Sequence, residues 1–257
     1  MASFPRPRLF VVGAGFLGRA VAEQAMRGGW EVLPVVRSEA SATQLRPRYP
    51  ETRAADAVVP GFWNLDTPAC EGMVWSLAPS RGREGDDFET FHRVGAVLAA
   101  TWAGKRNIPF VYVSSTSVYA ENEGGWVDED SPVATDPRSA AMTQAERACL
   151  CAKGTVLRCA GLYGNDRVLK SDEEGPERWL NLVHVEDAAR AVGVALRQRG
   201  KTFNVCEDEP RRRGRPGGSW PEGGRRTRRN KRVRNARLRA LGWIPGATLL
   251  DRDLRSA

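Results

Sequence analysis

Short apolar runs alternate with longer amphipathic segments along most of the chain. Residues 9–12 form a continuous apolar run, which is typical of a buried strand. Residues 16–27 carry apolar side chains at helical spacing, and Gly28 and Gly29 end that segment. A second apolar run at residues 30–36 completes a strand, turn, helix and strand within about 30 residues. The pattern therefore predicts a βαβ unit at the start of the chain.

The same alternation predicts the elements that follow. We expect strands at residues 73–78, 110–113, 155–158, 182–185 and 202–205, and helices at residues 88–104, 139–152, 187–197 and 233–241. Asp187 is the predicted N-cap of one of these helices. Strands that alternate with helices indicate a mostly parallel sheet covered on both faces. We predict an α/β fold with a Rossmann-type doubly wound parallel sheet.

The predicted organisation has two parts. Residues 1–160 form a dinucleotide-binding core, and residues 161–257 add the remaining core elements and a small, eroded C-terminal substrate subdomain. The composition changes at residue 207, because residues 207–229 consist mainly of Arg, Gly, Pro, Glu and Asp. Such a stretch cannot bury a core, and we predict that it is disordered or loosely attached.

The positive charge of the chain is concentrated in this region. Residues 211–239 hold 13 Lys and Arg against one acidic residue, Glu222, whereas the rest of the chain has 26 basic and 30 acidic residues. The net charge of +8 therefore belongs to a segment rather than to the fold.

Two hypotheses for residues 211–229 stay open beside that of a disordered loop. One is a compensated frameshift, since GC-rich DNA read out of frame yields Arg, Gly, Pro and Trp; translating the other two frames would test it. The other is a basic arm that contacts nucleic-acid phosphates. That stretch has no groove-reading helix and a single stacking aromatic, Trp220, so we do not expect nucleic acid as a partner.

Cysteine usage and hydropathy argue against a zinc protein, a disulfide-rich protein and a membrane protein. The five cysteines are never spaced C-x-x-C and the chain has two histidines, which argues against a zinc site and a disulfide framework. No apolar run approaches the length of a membrane span, and residues 1–8 do not resemble a signal peptide. We expect a cytoplasmic protein without a membrane or metal partner that binds a small-molecule substrate. The sequence gives no indication of the oligomeric state.

A glycine motif lies between the first strand and the first helix. Residues 13–18, Gly-Ala-Gly-Phe-Leu-Gly, match G-x-G-x-x-G. The first glycine permits a sharp exit from the strand, the second lets the backbone approach a pyrophosphate, and the third lets the helix pack closely. The helix N–H groups then face the phosphates. The predicted cofactor-binding residues are Gly13, Gly15, Phe16, Leu17 and Gly18; the alternative is a purely structural turn.

The residues at the end of the second strand help to distinguish NAD from NADP as the cofactor. NAD-selective folds usually place Asp or Glu there, whereas this chain has Arg37 followed by Ser38. An arginine cannot accept a hydrogen bond from a ribose hydroxyl, but it pairs well with a 2′-phosphate, and Ser38 could add a donor. We predict NADP as the cofactor, with NAD as the alternative. Arg37 could also be a surface arginine without that role.

With these elements in place, residues 9–205 resemble the extended short-chain dehydrogenase/reductase family, the NAD-dependent epimerase/dehydratase group. Residues 113–119 resemble the segment in which a Ser, here Ser115, contacts the substrate. Residues 158–164 are similar to the stretch that passes the nicotinamide, and residues 181–187 to a late strand-to-helix motif. The resemblance also implies Asp56 near the adenine and Ala78 among the cofactor-binding residues.

The family's Tyr-x-x-x-Lys pair is absent. In the family the tyrosine exchanges a proton with the substrate, and the lysine binds the ribose and lowers the tyrosine pKa. The residues four places after the four tyrosines are Arg53, Thr116, Glu123 and Arg167. Aligning the helix on Pro137 and Glu146 puts Arg138 and Met142 at the two positions. Neither can replace its counterpart, because arginine stays protonated and methionine has no donor. The chain resembles a dyad-less branch of the family.

Ser115 and Tyr119 are the predicted catalytic residues. The serine could position a carbonyl, and the tyrosine could donate a proton if a cation lowered its pKa. The structural alternative is that Ser115 hydrogen-bonds the loop and Tyr119 packs it. Two functions stay open: an NAD(P)-dependent epimerase or oxidoreductase acting on a sugar-nucleotide-like or small carbonyl substrate, and a non-catalytic NADP-binding sensor or scaffold.

Overall fold

The computed structural model describes residues 6–64, 69–77, 88–164, 167, 176–214 and 230–246. Its strands are β1 (Arg8–Val12), β2 (Glu31–Val36), β3 (Arg53–Ala54), β4 (Gly72–Trp75), β5 (Phe110–Ser115), β6 (Trp126–Val127), β7 (Thr155–Cys159), β8 (Gly161–Tyr163), β9 (Arg178–Leu180), β10 (Leu182–His184), β11 (Thr202–Val205), β12 (Arg211–Arg213) and β13 (Arg232–Val233). Its α-helices are α1 (Phe16–Arg27), α2 (Glu39–Leu45), α3 (Ala96–Lys105), α4 (Pro137–Cys151), α5 (Val185–Ala195) and α6 (Ala236–Arg239).

Seven of these strands form one parallel sheet in the order β11–β7–β5–β4–β1–β2–β3. In its register, Val12 of β1 lies opposite Val35 of β2 on one side and Trp75 of β4 on the other. The chain order reverses at β1, which is the switch point of a doubly wound sheet. The predicted Rossmann-type fold is confirmed.

The alternation of side chains along each strand divides the core into two layers. Leu9 and Val11 of β1 belong to the layer that packs against α1 and α5. Phe10 and Val12 face the opposite way, into the layer that packs against α3 and part of α4. Because helices cover both faces, the strands are apolar on both sides, as the continuous apolar runs in the sequence indicated. Among the described residues no helix is long and apolar enough to cross a membrane.

Most predicted elements agree with the observed ones. The helix at residues 16–27 and the strand at residues 202–205 have the predicted bounds, and other strands differ by a few residues. The helix predicted at residues 88–104 is present from residue 88 to Lys105, and its segment Thr90–Gly95, directly before α3, is π-helical. Asp187 does not cap α5. The strand before it ends at His184, whose side chain accepts a hydrogen bond from the Glu186 N–H at 3.3 Å and caps the helix instead.

The C-terminal region departs further from the prediction. Residues 207–214 have a defined place, since β12 pairs antiparallel with β9 and Glu207 is buried. Residues 215–229 lie outside the described residues. The helix predicted at residues 233–241 is shorter, because Val233 belongs to β13, which pairs with β6. A turn closed by Gly242, with φ of +83°, follows α6.

Candidate functional site

The segments that follow neighbouring strands meet at the carboxyl edge of the sheet. Gly13 follows β1, Arg37 follows β2, Asp56 lies two residues after β3, Ser76 follows β4, and Ser115 ends β5. In open α/β sheets, ligands bind in the crevice at this edge, at the switch point of the strand order. The fold therefore brings the predicted cofactor-binding and substrate-binding residues to one region.

Two glycines of the motif are required by packing. Gly13 has φ of +95°, and a Cβ there would lie 2.6 Å from the Leu77 nitrogen. A Cβ on Gly18 would lie 2.1 Å from the Gly13 carbonyl oxygen. The turn is also bound to the neighbouring strand, because the Gly13 N–H donates to the Val35 carbonyl at 3.0 Å. A side chain at Gly13 would therefore clash with the segment after β4, and one at Gly18 would clash with the turn itself.

Gly15 has a different environment. A Cβ on Gly15 would meet no described atom within 4 Å, and its φ of −83° is outside the left-handed region that favours glycine. Packing therefore does not explain this glycine. Gly15 is the N-cap of α1, which has no side-chain cap and no acidic residue in its first turn. The first N–H groups of a helix have no intrahelical partner and carry a partial positive charge, so this helix end suits an anion.

The two residues after Gly15 point in different directions. Leu17 is buried in the core, whereas Phe16 is half-buried at the edge of the turn. The guanidinium carbon of Arg167 lies 4.9 Å from the centre of the Phe16 ring. A local sequence pattern cannot predict this contact, because the two residues are far apart in the chain. It adds a cation beside the glycine turn.

Arg37 and Ser38 have separate roles in the structure. Arg37 is exposed, and its guanidinium carbon lies 5.9 Å from the centre of the Phe91 ring. The Ser38 hydroxyl caps α2, since it accepts a hydrogen bond from the Ser41 N–H at 3.3 Å and donates one to the Ser41 hydroxyl at 2.9 Å. Ser38 therefore uses its hydrogen locally, whereas Arg37 presents a cation at the end of β2.

The remaining predicted cofactor contacts are Asp56 and Ala78. Asp56 is exposed, and its carboxylate accepts a hydrogen bond from the Val58 N–H at 3.2 Å. It thus stabilises the turn after β3 at the carboxyl edge. Ala78 lies outside the described residues.

Ser115 stands at the end of β5, where the resemblance expects it. Its hydroxyl is half-buried and accepts a hydrogen bond from the Ser117 N–H at 3.1 Å, which caps the short 3-10 turn Thr116–Val118. This bond uses one lone pair and leaves the hydroxyl hydrogen for another acceptor. Ser115 therefore hydrogen-bonds its own loop, which is the structural role that the sequence analysis gave as the alternative. Its hydroxyl can still donate a hydrogen bond to another group.

Tyr119 is 1% exposed, and its hydroxyl donates to the Asn204 side-chain oxygen at 2.6 Å. The expected cation is there, since the Arg158 guanidinium carbon lies 4.9 Å from the centre of the Tyr119 ring. Burial outweighs that cation and raises the pKa of Tyr119 to about 12. This placement favours the packing role over the predicted role as proton donor.

The other tyrosines have similar surroundings. All four tyrosines of the chain lie within the described residues, each is at most 5% exposed, and each hydroxyl has a polar partner. The pairs are Tyr49 with Glu23, Tyr112 with His92, Tyr119 with Asn204, and Tyr163 with Glu207. Burial is the first cause that raises the pKa of every one of them. Tyrosine-based proton exchange requires the opposite shift of the pKa.

The two positions at which the resemblance would place a Tyr and a Lys, Arg138 and Met142, lie on α4. The Asp136 side chain caps this helix, Pro137 is its first residue, and Arg138 follows in the first turn. Arg138 is exposed, with its guanidinium carbon 4.1 Å from the centre of the Phe88 ring. Met142, one turn later, is buried. Arg138, packed on an aromatic ring, does not replace a tyrosine as proton donor. Met142, buried in the core, has no group that could donate a hydrogen bond to a ribose hydroxyl.

The chain shares its fold with several solved structures. A functionally unknown conserved protein from Silicibacter pomeroyi has a TM-score of 0.69 at 24% identity, over 92% of both chains. UDP-glucose 4-epimerase from Thermotoga maritima, solved with UDP-glucose, has a TM-score of 0.76 at 16% identity, over 94% of both chains. The Bordetella bronchiseptica enzyme WbmG, solved with NAD and UDP, has a TM-score of 0.79 at 15% identity, over 96% of this chain and 92% of that chain.

At these identities the likeness shows the fold. No protein-family model and no curated protein matches the sequence.

The structure also contains a buried histidine that the sequence did not single out. His92 lies in the π-helical turn before α3, and its Nδ1 atom is 2.7 Å from the Tyr112 hydroxyl oxygen. Burial, reinforced by the charge of Arg138, lowers the pKa of His92 to about 4. His92 is therefore neutral at physiological pH and connects β5 to the segment that carries Phe88. A single histidine in an amphipathic segment gives no sequence signal of such a pair.

Proposed function

We propose that this protein binds NADP at the carboxyl edge of its sheet. The observation that carries the proposal is Gly15, which stands at the uncapped N-terminus of α1 with open space where its side chain would be. Gly13 and Gly18 hold the turn in this shape, and the N–H groups at the start of α1 would hold a pyrophosphate. When bound, the nicotinamide supplies or accepts a hydride.

Arg37 is the basis for proposing NADP rather than NAD. A guanidinium at the end of β2 provides several N–H donors and a permanent charge for a 2′-phosphate. An acidic residue, which would accept from the ribose hydroxyls of NAD, is absent from this position. WbmG was solved with NAD, and NAD is the alternative cofactor of this chain.

The first candidate activity is oxidation–reduction or epimerisation of a sugar-nucleotide-like or small carbonyl compound in the cytoplasm. Two observations support it. Ser115 ends β5 at the edge where the cofactor is proposed to bind, and its hydroxyl accepts one local hydrogen bond while retaining a hydrogen that it could donate to a substrate oxygen. The enzymes of like fold from Thermotoga maritima and Bordetella bronchiseptica were solved with UDP-glucose and with UDP. The five cysteines are free, which agrees with a reducing compartment.

The second candidate is a non-catalytic sensor or scaffold that binds NADP. The four buried tyrosines with raised pKa values favour it, and so do Arg138 and Met142 at the dyad positions. In this candidate the cofactor is a ligand whose occupancy a partner protein detects.

Calorimetric titration with NADPH and NADH tests the cofactor proposal. We expect NADPH to bind more tightly than NADH, and Arg37→Gln to lower NADPH affinity by about tenfold or more, because charge-assisted hydrogen bonds are lost. NADH affinity should stay unchanged. Arg27→Gln, which removes an equal charge at the far end of α1, is the control. Equal loss of NADPH and NADH affinity in Arg37→Gln would contradict the role in 2′-phosphate recognition.

Turnover distinguishes the two candidate activities. NADPH oxidation is followed with a panel of carbonyl compounds and UDP-sugars, and epimerisation is followed by the change of sugar. For the enzyme, Ser115→Ala should lower kcat/KM for the active compound, while Ser117→Ala on the same loop should not. Tight NADPH binding without turnover of any compound supports the sensor.

A further inference from the structure

His184, the residue that caps α5, lies beside the glycine turn. The helices α1 and α5 pack against each other on one face of the sheet. Because α1 leads into β2 and α5 leads into β11, both parallel strands, the two helices begin at the same carboxyl edge. Strand pairing fixes the position of the histidine, since His184 of β10 lies opposite Tyr163 of β8. The two rings meet edge to face, with their centres 5.2 Å apart.

The glycine at position 164 shows where the Nε2 atom of His184 points. A Cβ on Gly164 would lie 3.4 Å from that atom and 3.4 Å from the Phe16 Cζ atom. It would also clash with the Val185 side chain at 2.8 Å. Phe16 is the first residue of α1, and Val185 is the first residue of α5. His184 therefore turns its Nε2 atom towards the start of α1, across a position that carries no side chain.

The two ring nitrogens of His184 differ in their hydrogen bonding. Nδ1 accepts a hydrogen bond from the Glu186 N–H at 3.3 Å, so the ring proton is on Nε2. The Nε2–H group has no hydrogen-bond partner among the described residues, although His184 is only 8% exposed. A donor that is nearly buried and unpaired is costly, and it indicates a partner that is not part of the described chain.

The acidic groups near this donor are engaged or point away. Asp187 pairs with Arg190, and Glu207 accepts a hydrogen bond from the Tyr163 hydroxyl. Glu186 is exposed in the first turn of α5, where it compensates the positive end of its own helix.

The start of α1 has no such compensation, because its first turn has no acidic residue and its N-cap, Gly15, has no side chain. Arg167, whose backbone is hydrogen-bonded to Gly164, adds a guanidinium 4.9 Å from the Phe16 ring centre. The His184 donor thus faces the one of the two helix starts that suits an anion.

The strand order indicates which part of the cofactor lies on this side. β2, which ends before Arg37, is on one side of β1, whereas β7, which leads to Gly164, is on the other side together with β5 and its Ser115. Arg37 is proposed to hold the 2′-phosphate of the adenosine half, so the nicotinamide half extends towards β7. We propose that the Nε2–H group of His184 donates a hydrogen bond to the phosphate on the nicotinamide side of NADP. The inference rests on the proposed cofactor site and adds to it a residue from outside the glycine motif.

Two substitutions separate the cap from the donor. Asn has its side-chain oxygen at the position of Nδ1 and is a favoured N-cap, so His184→Asn keeps the cap of α5 and removes the Nε2 donor. Gln has its amide nitrogen at the position of Nε2, so His184→Gln keeps the donor and removes the cap. We expect His184→Asn to keep its midpoint of urea unfolding and to bind NADPH about tenfold or more weakly. His184→Gln should unfold at a lower urea concentration and keep its NADPH affinity.

Calorimetric titration with a truncated cofactor locates the contact. Adenosine 2′,5′-bisphosphate contains the 2′-phosphate and the adenosine-side phosphate of NADP, and it lacks the phosphate on the nicotinamide side. His184→Asn should bind this compound as tightly as the unsubstituted protein does. If His184→Asn does not fold, His184→Ser takes its place, because serine is also a favoured cap and its hydroxyl is too short to reach the Nε2 position.

Three results would overturn the contact and leave the proposed cofactor site in place. The first is an unchanged NADPH affinity of His184→Asn. The second is an equal loss of affinity for NADPH and the bisphosphate, which would indicate a general distortion of the site. The third is an equal loss of NADPH affinity in the Asn and Gln variants, which would assign the effect to the ring rather than to its donor. If the unsubstituted protein binds neither compound, the proposed function fails, and the contact fails with it.

Discussion

The Tyr119 hydroxyl donates a 2.6 Å hydrogen bond to the side-chain oxygen of Asn204, and so joins the loop after β5 to β11. Asn204 uses its other polar groups as well. Its backbone N–H donates to Glu129 at 2.8 Å, and its side-chain amide donates to the Arg234 carbonyl at 2.9 Å. One buried asparagine thus connects the sheet, the loop and the chain that enters α6. Tyr119 is part of this connection.

Tyr119→Phe should destabilise the protein without changing its chemistry. The substitution removes a buried hydrogen bond and leaves the Asn204 oxygen without its donor, at a cost of about 1–3 kcal/mol in the free energy of unfolding. Urea unfolding measures this loss, and calorimetry should show unchanged NADPH affinity. A Phe variant of normal stability with reduced turnover would instead support the predicted catalytic role of Tyr119.

The glycines of the turn should respond differently to alanine. Gly15→Ala places a methyl group in open space, so the free energy of unfolding should change by less than about 0.5 kcal/mol. NADPH affinity should fall about tenfold or more, because the methyl group occupies the approach of the pyrophosphate.

Gly18→Ala puts the new Cβ 2.1 Å from the Gly13 carbonyl oxygen, and overpacking of this kind costs about 1–3 kcal/mol. Urea unfolding and NADPH titration separate the two effects. If Gly15→Ala binds NADPH as well as the unsubstituted protein, the glycine turn is not the cofactor site.

The sequence predicted those elements whose pattern is local. The bounds of α1 follow from apolar spacing and a terminal Gly28, and β11 follows from an apolar run. The strands that the sequence did not predict are two or three residues long, and they form only by pairing with a distant strand. β13 pairs with β6, and β12 pairs with β9. Strands this short have too few residues to show the alternation of apolar and polar side chains that identifies a strand in a sequence. The cap of α5 shifted to His184 for a similar reason, since the pairing of β10 decides where that helix begins.

The same distinction holds for the site. The glycine turn could be predicted because its six residues are contiguous and each has a backbone role. The environment of Tyr119 could not, because Asn204 and Arg158 reach it from other strands. The sequence indicated that a cation near Tyr119 would lower its pKa. It could not indicate that burial would outweigh the cation.

A buried ion pair holds α4 against β7. Arg158 donates two hydrogen bonds to Glu146, at 3.0 and 2.7 Å, and Ser114 donates a third to it at 2.6 Å. Arg158→Met should cost about 3–5 kcal/mol in the free energy of unfolding, because it leaves a buried carboxylate without its cation. Adding Glu146→Leu should recover part of this loss in urea unfolding. A double variant whose loss equals the sum of the two single losses would show that the pair is not coupled.

His92 should make stability depend on pH. Burial lowers its pKa from 6.5 to about 4 in the folded protein, so below pH 6.5 the unfolded chain binds a proton that the folded protein does not. The free energy of unfolding should therefore fall as the pH drops from about 6.5 to about 4, by about 3 kcal/mol in total. His92→Gln keeps a polar partner for Tyr112 and should abolish this component. Urea unfolding at several pH values measures it, and parallel curves for both proteins would refute the assignment.

Asn230 has a consequence for how two parts of the structure depend on each other. Its side-chain oxygen accepts a hydrogen bond from the backbone N–H of Trp179 in β9, and its backbone oxygen accepts one from the Gly124 N–H in the turn before β6. Because β9 pairs with β12 and β6 pairs with β13, one residue connects two ribbons whose strands come from distant parts of the chain. A substitution at position 230 would therefore loosen both ribbons at once.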